Sequence, residues 1–433
     1  MEGSQGSPAF ALTLVFAAAL LASLLVKFWL ATRQMRHVAA HRDTVPSAFA
    51  QTISLDAHQR AADYTLAKGR FGLIGTAAAA AVLLGWTLLG GVDALNIALR
   101  DTLQPRFGNL AYQLALLGAF AVIGALIEMP LDLYSTFRIE QRFGFNRTTW
   151  KLYLLDMLKG ALVGALVGTP IAALMLWLMH AAGSLWWVWA WGVWMAFNLL
   201  ILLLYPTLIA PLFNKFEPLA DESLKARVQQ LMARCGFAAK GLFVMDGSKR
   251  SAHGNAYFTG FGAAKRVVFF DTLLDKLSPG EVEAVLAHEL GHFKHRHVIK
   301  RIGVMFALSL AGFALLGWLS TQPWFYAGLG VRPSLTAPND ALALLLFLLA
   351  APVFMFFVSP LFAQVSRKHE FEADAYACRH ASGNDLAAAL LKLHKDNAST
   401  LTPDPLYVRF YYSHPPASER LAALARQPSP QPI

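Results

Sequence analysis

The sequence predicts a mainly α-helical protein that crosses a membrane about seven times and carries a small mixed α+β unit outside the bilayer. Three observations carry this reading. Hydrophobic residues make up 56% of the 433-residue chain and charged residues 15%, with a mean hydropathy of +0.44, far from the balance of a water-soluble domain. Apolar runs recur at 9–30, 71–92, 110–131, 154–179, 185–204, 302–319 and 341–358, each near the roughly 20 residues with which a helix crosses a hydrocarbon core. Residues 214–300 and 359–433 return to mixed composition, so the chain divides into 1–213 (five spans), 214–300, 301–358 (two spans) and 359–433.

The first run lacks a positive segment before it, and Lys27, Arg33, Arg36 and Arg42 come at or after its end. It therefore reads as an uncleaved anchor with its N-terminus outside. Arg138, Arg142, Arg147 and Lys151 follow the third span, whereas the 181–184 loop after the fourth carries no charge, which keeps the same orientation. Seven spans then leave the C-terminus and residues 214–300 on the cytoplasmic side. The net charge of +10 is accounted for by orientation and by anionic lipid, without nucleic acid as a partner. Cys235 and Cys378 have no ligand spacing and read as free structural thiols. Beyond Gln427 the Pro/Gln-rich tail reads as fraying.

Within 214–300, an alternating segment from Asn255 to Thr259, a turn at Gly262-Ala263-Ala264 and a second run from Arg266 to Phe270 predict a hairpin. Ser278-Pro279-Gly280-Glu281 then reads as a capping box with proline at the first helical position. On the helix it starts, Val282, Val285 and Leu286 form an apolar stripe, and Gly291 leaves room for a neighbouring backbone.

That helix holds Ala287-His288-Glu289-Leu290-Gly291-His292. His288 and His292 are one turn apart on one face, so their ring nitrogens can meet at a single ion. Glu289 lies about 100° round the helix, close enough to take a proton from a metal-activated water without ligating the metal. Two satisfied core histidines would be the plainer reading, but it leaves the cap and the glutamate unexplained. His295 lies about 10 Å from His288 along the axis. With His297, inside the basic 294–300 run, it reads as facing headgroups or solvent.

A catalytic zinc takes three protein ligands. Ser366-Arg367-Lys368-His369-Glu370-Phe371-Glu372-Ala373-Asp374 offers the third. Glu370 and Asp374 share a helix face, so Glu370 can ligate while Asp374 accepts a hydrogen bond from a ligand imidazole. Glu372 and His369 point elsewhere on the wheel.

These segments, together with FRIEQRFGFNRTT (137–149), YPTLIAPLFNKFEPL (205–219), HGNAYFTGF (253–261) and YSHPPASERL (412–421), resemble the type I CAAX prenyl protease family over almost the whole chain. Gly254 departs from the serine usual there. The resemblance implies an integral-membrane zinc endopeptidase with one Zn2+ per chain, and a barrel of seven helices around a large chamber. A cytosolic domain would seal one end of that chamber at the zinc site.

Carried onto these positions, the resemblance implies His288, His292 and Glu370 as ligands, Glu289 as general base and Asp374 as the orienting carboxylate. Asn255 would hold substrate backbone or oxyanion on an edge strand, with His253 beside it, and His414 would stabilise the tetrahedral intermediate. Arg420 is a further substrate-pocket candidate, although alone it reads as a surface helix position. Glu128, Asp156, Lys159 and Asn198 would face the chamber, with interfacial snorkelling an equal alternative for Asp156 and Lys159. The implied partners are the bilayer and a peptide, prenylated or not. The alternatives are a quality-control protease without prenyl specificity and a non-enzymatic transporter or binding protein.

Overall fold

The computed structural model describes residues 7–237, 241–259, 266–335 and 337–427. The expected turn at 262–264 and the tail beyond 427 lie outside these. Five long helices come first: α1 (Pro8–Ala40), α2 (Leu55–Trp86), α3 (Gly91–Tyr134), α4 (Trp150–Ala181) and α5 (Trp186–Leu204). A mixed segment follows with β1 (Phe216–Pro218), α6 (Glu222–Arg234), β2 (Gly241–Met245), β3 (Ala256–Thr259), β4 (Arg266–Phe270), the short α7 (Asp271–Leu274) and α8 (Pro279–Lys294). The chain returns to long apolar helices with α9 (His297–Leu319), the short α10 (Pro323–Gly328) and α11 (Asp340–Met355). It closes with α12 (Ser359–His380), α13 (Gly383–Asp396), α14 (Pro405–Tyr411) and α15 (Ala417–Leu424).

Among the described residues, six helical stretches are long and apolar enough to cross a membrane. The pair α11 and α12, bent by 65° at its break, brings the number to seven where it is counted as one broken span. The chain is thus an integral, multi-pass membrane protein with about the expected number of spans. The second span is displaced from its apolar run: its helix is capped at Thr87, and the left-handed Gly90 (φ 79°) starts the next. Glycine adopts that conformation without the Cβ clash that other residues suffer. Inside α3, Gly108 (φ 81°) breaks the helix before the third apolar run begins.

Two main cores form. One lies among the membrane helices and includes Phe16, Leu116, Leu176 and Leu346. The other joins α6, the sheet, α8, α12 and α13 through Leu231, Phe269, Leu286 and Leu386, and holds both free cysteines. The sheet runs in the order β1-β2-β4-β3, with β2 and β4 parallel and the outer pairs antiparallel. The predicted hairpin therefore ends in β3 as an edge strand, paired Tyr257 to Val268.

Of the four polar groups expected at membrane depth, Asp156 on α4 accepts two hydrogen bonds from Arg250, at 2.8 and 2.9 Å. Lys159 donates to the Leu212 carbonyl and Asn198 to that of Trp194, while Glu128 is exposed. Asp156 and Lys159 thus tie α4 to neighbouring segments. A cavity of about 1250 Å3 opens among α1, α2, α11, α13 and α14.

Candidate active site

The capping box at the start of α8 forms as predicted: the Ser278 backbone N–H donates to Glu281 Oε2 at 2.7 Å, and Ser278 Oγ accepts from the Glu281 N–H. Lys392 on α13 adds a further bond to the Glu281 carboxylate at 2.7 Å. Val282, Leu286 and Leu290 are buried on the inner face, so the helix is fixed by packing as well as by its cap. At Gly291 an added Cβ would lie 2.9 Å from Ala373 Cα on α12. This close approach brings Glu370, one turn earlier on α12, to the histidine pair.

His288 Nε2 and His292 Nε2 are 3.2 Å apart. Glu370 lies 3.5 Å from the first and 3.4 Å from the second. Each Nδ1 is engaged elsewhere: His288 Nδ1 lies 2.8 Å from Asp374 Oδ1 and His292 Nδ1 3.0 Å from His297 Nδ1. The two Nε2 atoms thus face each other, beside a buried Glu370 oxygen that has no hydrogen-bond partner among the described residues. Ligands about 2.0–2.1 Å from a tetrahedral ion stand roughly 3.4 Å apart, so the trio fits a metal. Without one, burial disfavours the charged imidazole of His288, but the neighbouring Asp374 and Glu370 carboxylates outweigh burial and raise its pKa to about 9.

Arg420 is buried, 7% exposed, so the surface reading of that position does not hold. Its guanidinium donates to both oxygens of Asp374, at 2.6 and 2.9 Å. Burial opposes its charge, yet the Asp374 ion pair more than offsets this and raises its pKa.

Glu289, His288, His292, Glu370, Asn255 and His414 line one cavity of about 460 Å3. His414 Nε2 is 3.4 Å from Glu370 with its side chain largely exposed. Asn255 Oδ1 accepts from the Ala256 N–H. The His253 ring stacks on Phe145 at 4.3 Å, and its Nδ1 is 3.1 Å from Asn397 Oδ1. His253, Asn397, His414 and Arg420 also line the larger cavity, so the two adjoin.

His297 is a second residue that sequence reasoning placed wrongly. It is 4% exposed and lies between His292 and Glu372. Helical periodicity could not reveal this, because Arg296 adopts a left-handed conformation (φ 57°, ψ 33°) and turns the chain back.

Residues 34–215 match the family described as CAAX prenyl protease N-terminal, five membrane helices, and residues 218–427 match Peptidase family M48. The chain is 34% identical to the CAAX prenyl protease 1 homolog of Oryza sativa subsp. japonica over 90% of its length and 92% of the relative's. It is likewise 34% identical to CAAX prenyl protease 1 of Saccharomyces cerevisiae, covering 88% of each, and 31% identical to the Homo sapiens homolog, covering 95% of each. The crystal structure of S. mikatae Ste24p superposes with a TM-score of 0.89 at 31% identity, covering 95% of this chain and 99% of that one. With its paired-histidine metal site, its membrane helices and these matches along nearly its whole length, the chain belongs to the CAAX prenyl protease 1 family of membrane-embedded M48 metallopeptidases.

Proposed function

We propose that the protein is a zinc endopeptidase, with one ion per chain, that trims the C-terminus of prenylated CAAX peptides or of closely related membrane-borne peptides. The carrying observation is the convergence of two Nε2 atoms and an unpartnered Glu370 oxygen, beside Glu289, in a cavity that adjoins a larger one among α1, α2, α11, α13 and α14. The relatives' names supply the substrate class.

His288, His292 and Glu370 would hold the ion, and when bound it supplies Lewis acidity to the scissile carbonyl and to the attacking water. Glu289 accepts the water proton and returns it to the leaving nitrogen. Asp374, fixed by Arg420, keeps the proton of His288 on Nδ1, so that Nε2 faces the ion. An extended peptide adds to the free edge of β3, where Asn255 and His253 hold its backbone. His414, which lines the same cavity, donates to the oxyanion. The cationic loops support an outside N-terminus and a cytoplasmic catalytic unit.

The test is cleavage of one fluorogenic peptide in prenylated and unprenylated forms, with and without a zinc chelator. Glu289→Gln should keep its zinc and lose turnover by on the order of 10^2–10^4, whereas His292→Ala should lose both. Equal zinc loss in the two variants would refute these roles. Equally good cleavage of both peptides would favour quality-control proteolysis over CAAX processing.

A further inference from the structure

We propose that His297 and Glu372 are positioning residues for His292. A proton on His292 Nδ1 is donated to His297 Nδ1, and a proton on His297 Nε2 is donated to Glu372. This rests on the reading of His292 as a metal ligand.

The two bonds measure 3.0 Å and 2.8 Å. Proton accounting gives them their direction. If His292 Nε2 offers its lone pair to the metal, its single proton sits on Nδ1, so His297 Nδ1 must accept. The one proton of His297 is then on Nε2, where the Glu372 carboxylate accepts it. Each ring is thereby locked in one tautomer and one orientation, as second-shell partners do for ligand histidines.

The backbone is arranged for this contact. Helix α8 is capped at His295, and α9 starts at His297 only because Arg296 takes the left-handed conformation, which a residue with a Cβ adopts at a cost. Without that reversal His297 would continue down the helix, away from the His292 ring. The ring of His369 stacks on His297 at 3.9 Å with a 10° interplanar angle and holds it flat.

The arrangement parallels the other ligand. His288 is backed by Asp374, and the chain from His292 ends on Glu372. Both carboxylates lie on α12, two and four residues past Glu370, so this helix supplies one ligand and orients the other two.

His295, His297 and Glu372 also bring one ligand atom each within 4.8 Å of the others, which raises a second metal as the rival reading. The proton that the relay places on His297 Nε2 occupies the lone pair such a metal would need, so one zinc per chain is expected.

The experiment uses the full chain in detergent. It measures the zinc dissociation constant by competition with a chromophoric chelator, the visible spectrum of the cobalt(II) form, and the melting temperature of metal-free protein. His297→Phe keeps a ring for His369 but removes both hydrogen bonds. It should weaken zinc about 10- to 100-fold and shift the cobalt spectrum, while the metal-free melting temperature holds. His297→Asn, whose Oδ1 can replace Nδ1 as acceptor, should recover most of the affinity.

Wild-type zinc affinity in His297→Phe would overturn the proposal. So would a second zinc per chain that is lost in His295→Ala. If His297→Phe also melts early, the Asn variant decides: recovered affinity supports the relay and equal loss overturns it. Wild-type zinc binding by His292→Ala would instead overturn the ligand reading beneath it.

Discussion

Glu281 closes the capping box of α8 and also receives Lys392 Nζ, with its side chain only 6% exposed. Burial pushes its pKa up, but the bonds from Lys392 and the Ser278 N–H outweigh burial and hold it below the ordinary carboxylate value. A depressed folded-state pKa means stability that is present above the unfolded value, about 4.3, and lost as pH falls through the folded one. Glu281→Gln should therefore lower stability at pH 7 by about 1 kcal/mol, and the gap should close on acidification below about pH 4. Thermal unfolding at pH 7 and at about pH 2.5, well below the unfolded value, checks this; an equal gap at both would count against it. The cap was legible because its partners are three residues apart. Lys392, 111 residues on, belongs to no local pattern. Arg420 was misjudged for the same reason, since only the fold shows that Asp374 awaits it.

Helix α8 meets α12 at Gly291, and that crossing sets the distance between the histidine pair and Glu370. A methyl at Gly291 would press on Ala373 Cα at 2.9 Å and on Tyr376 Cβ at 3.1 Å, neither of which can swing aside. Gly291→Ala should cost about 1–3 kcal/mol by overpacking and weaken metal binding, read as a lower melting temperature and substoichiometric zinc. Gly254→Ser is the matched control: its Cβ would meet Leu273 at no less than 3.4 Å, so a serine fits and parent-like behaviour is expected. The helix, its start and the need for a small residue at Gly291 could all be read from spacing. Exact helix ends could not. The apolar run at 71–92 continues past Trp86, because hydropathy reports lipid contact and not the backbone angles that stop a helix at Thr87 and Gly90.

Across the whole molecule, the chamber and the metal cavity share residues but differ in what bounds them. Gly75 on α2 lines the larger cavity, and an added Cβ there meets nothing within 4 Å. Gly75→Leu should therefore narrow the chamber without disturbing its walls. Short peptides should be cleaved as before, while kcat/KM for long or prenylated ones falls about tenfold, which corresponds to about 1.4 kcal/mol of differential binding. An equal fall for all substrates would mean that the chamber wall does not contact substrate. Seven apolar runs made the membrane part of the fold legible, since crossing a bilayer imposes length and composition. The chamber itself could not be read from them, because a cavity is a property of how helices lean together. The tie between the two parts has a mechanical side. His297 is the first residue of α9, a candidate membrane span, and at the same time touches the imidazole of His292. Bilayer thickness sets the tilt of a span, so the same residue that begins a stretch whose inclination answers to the lipid also sits against one of the paired imidazoles, and the two environments meet at a single side chain.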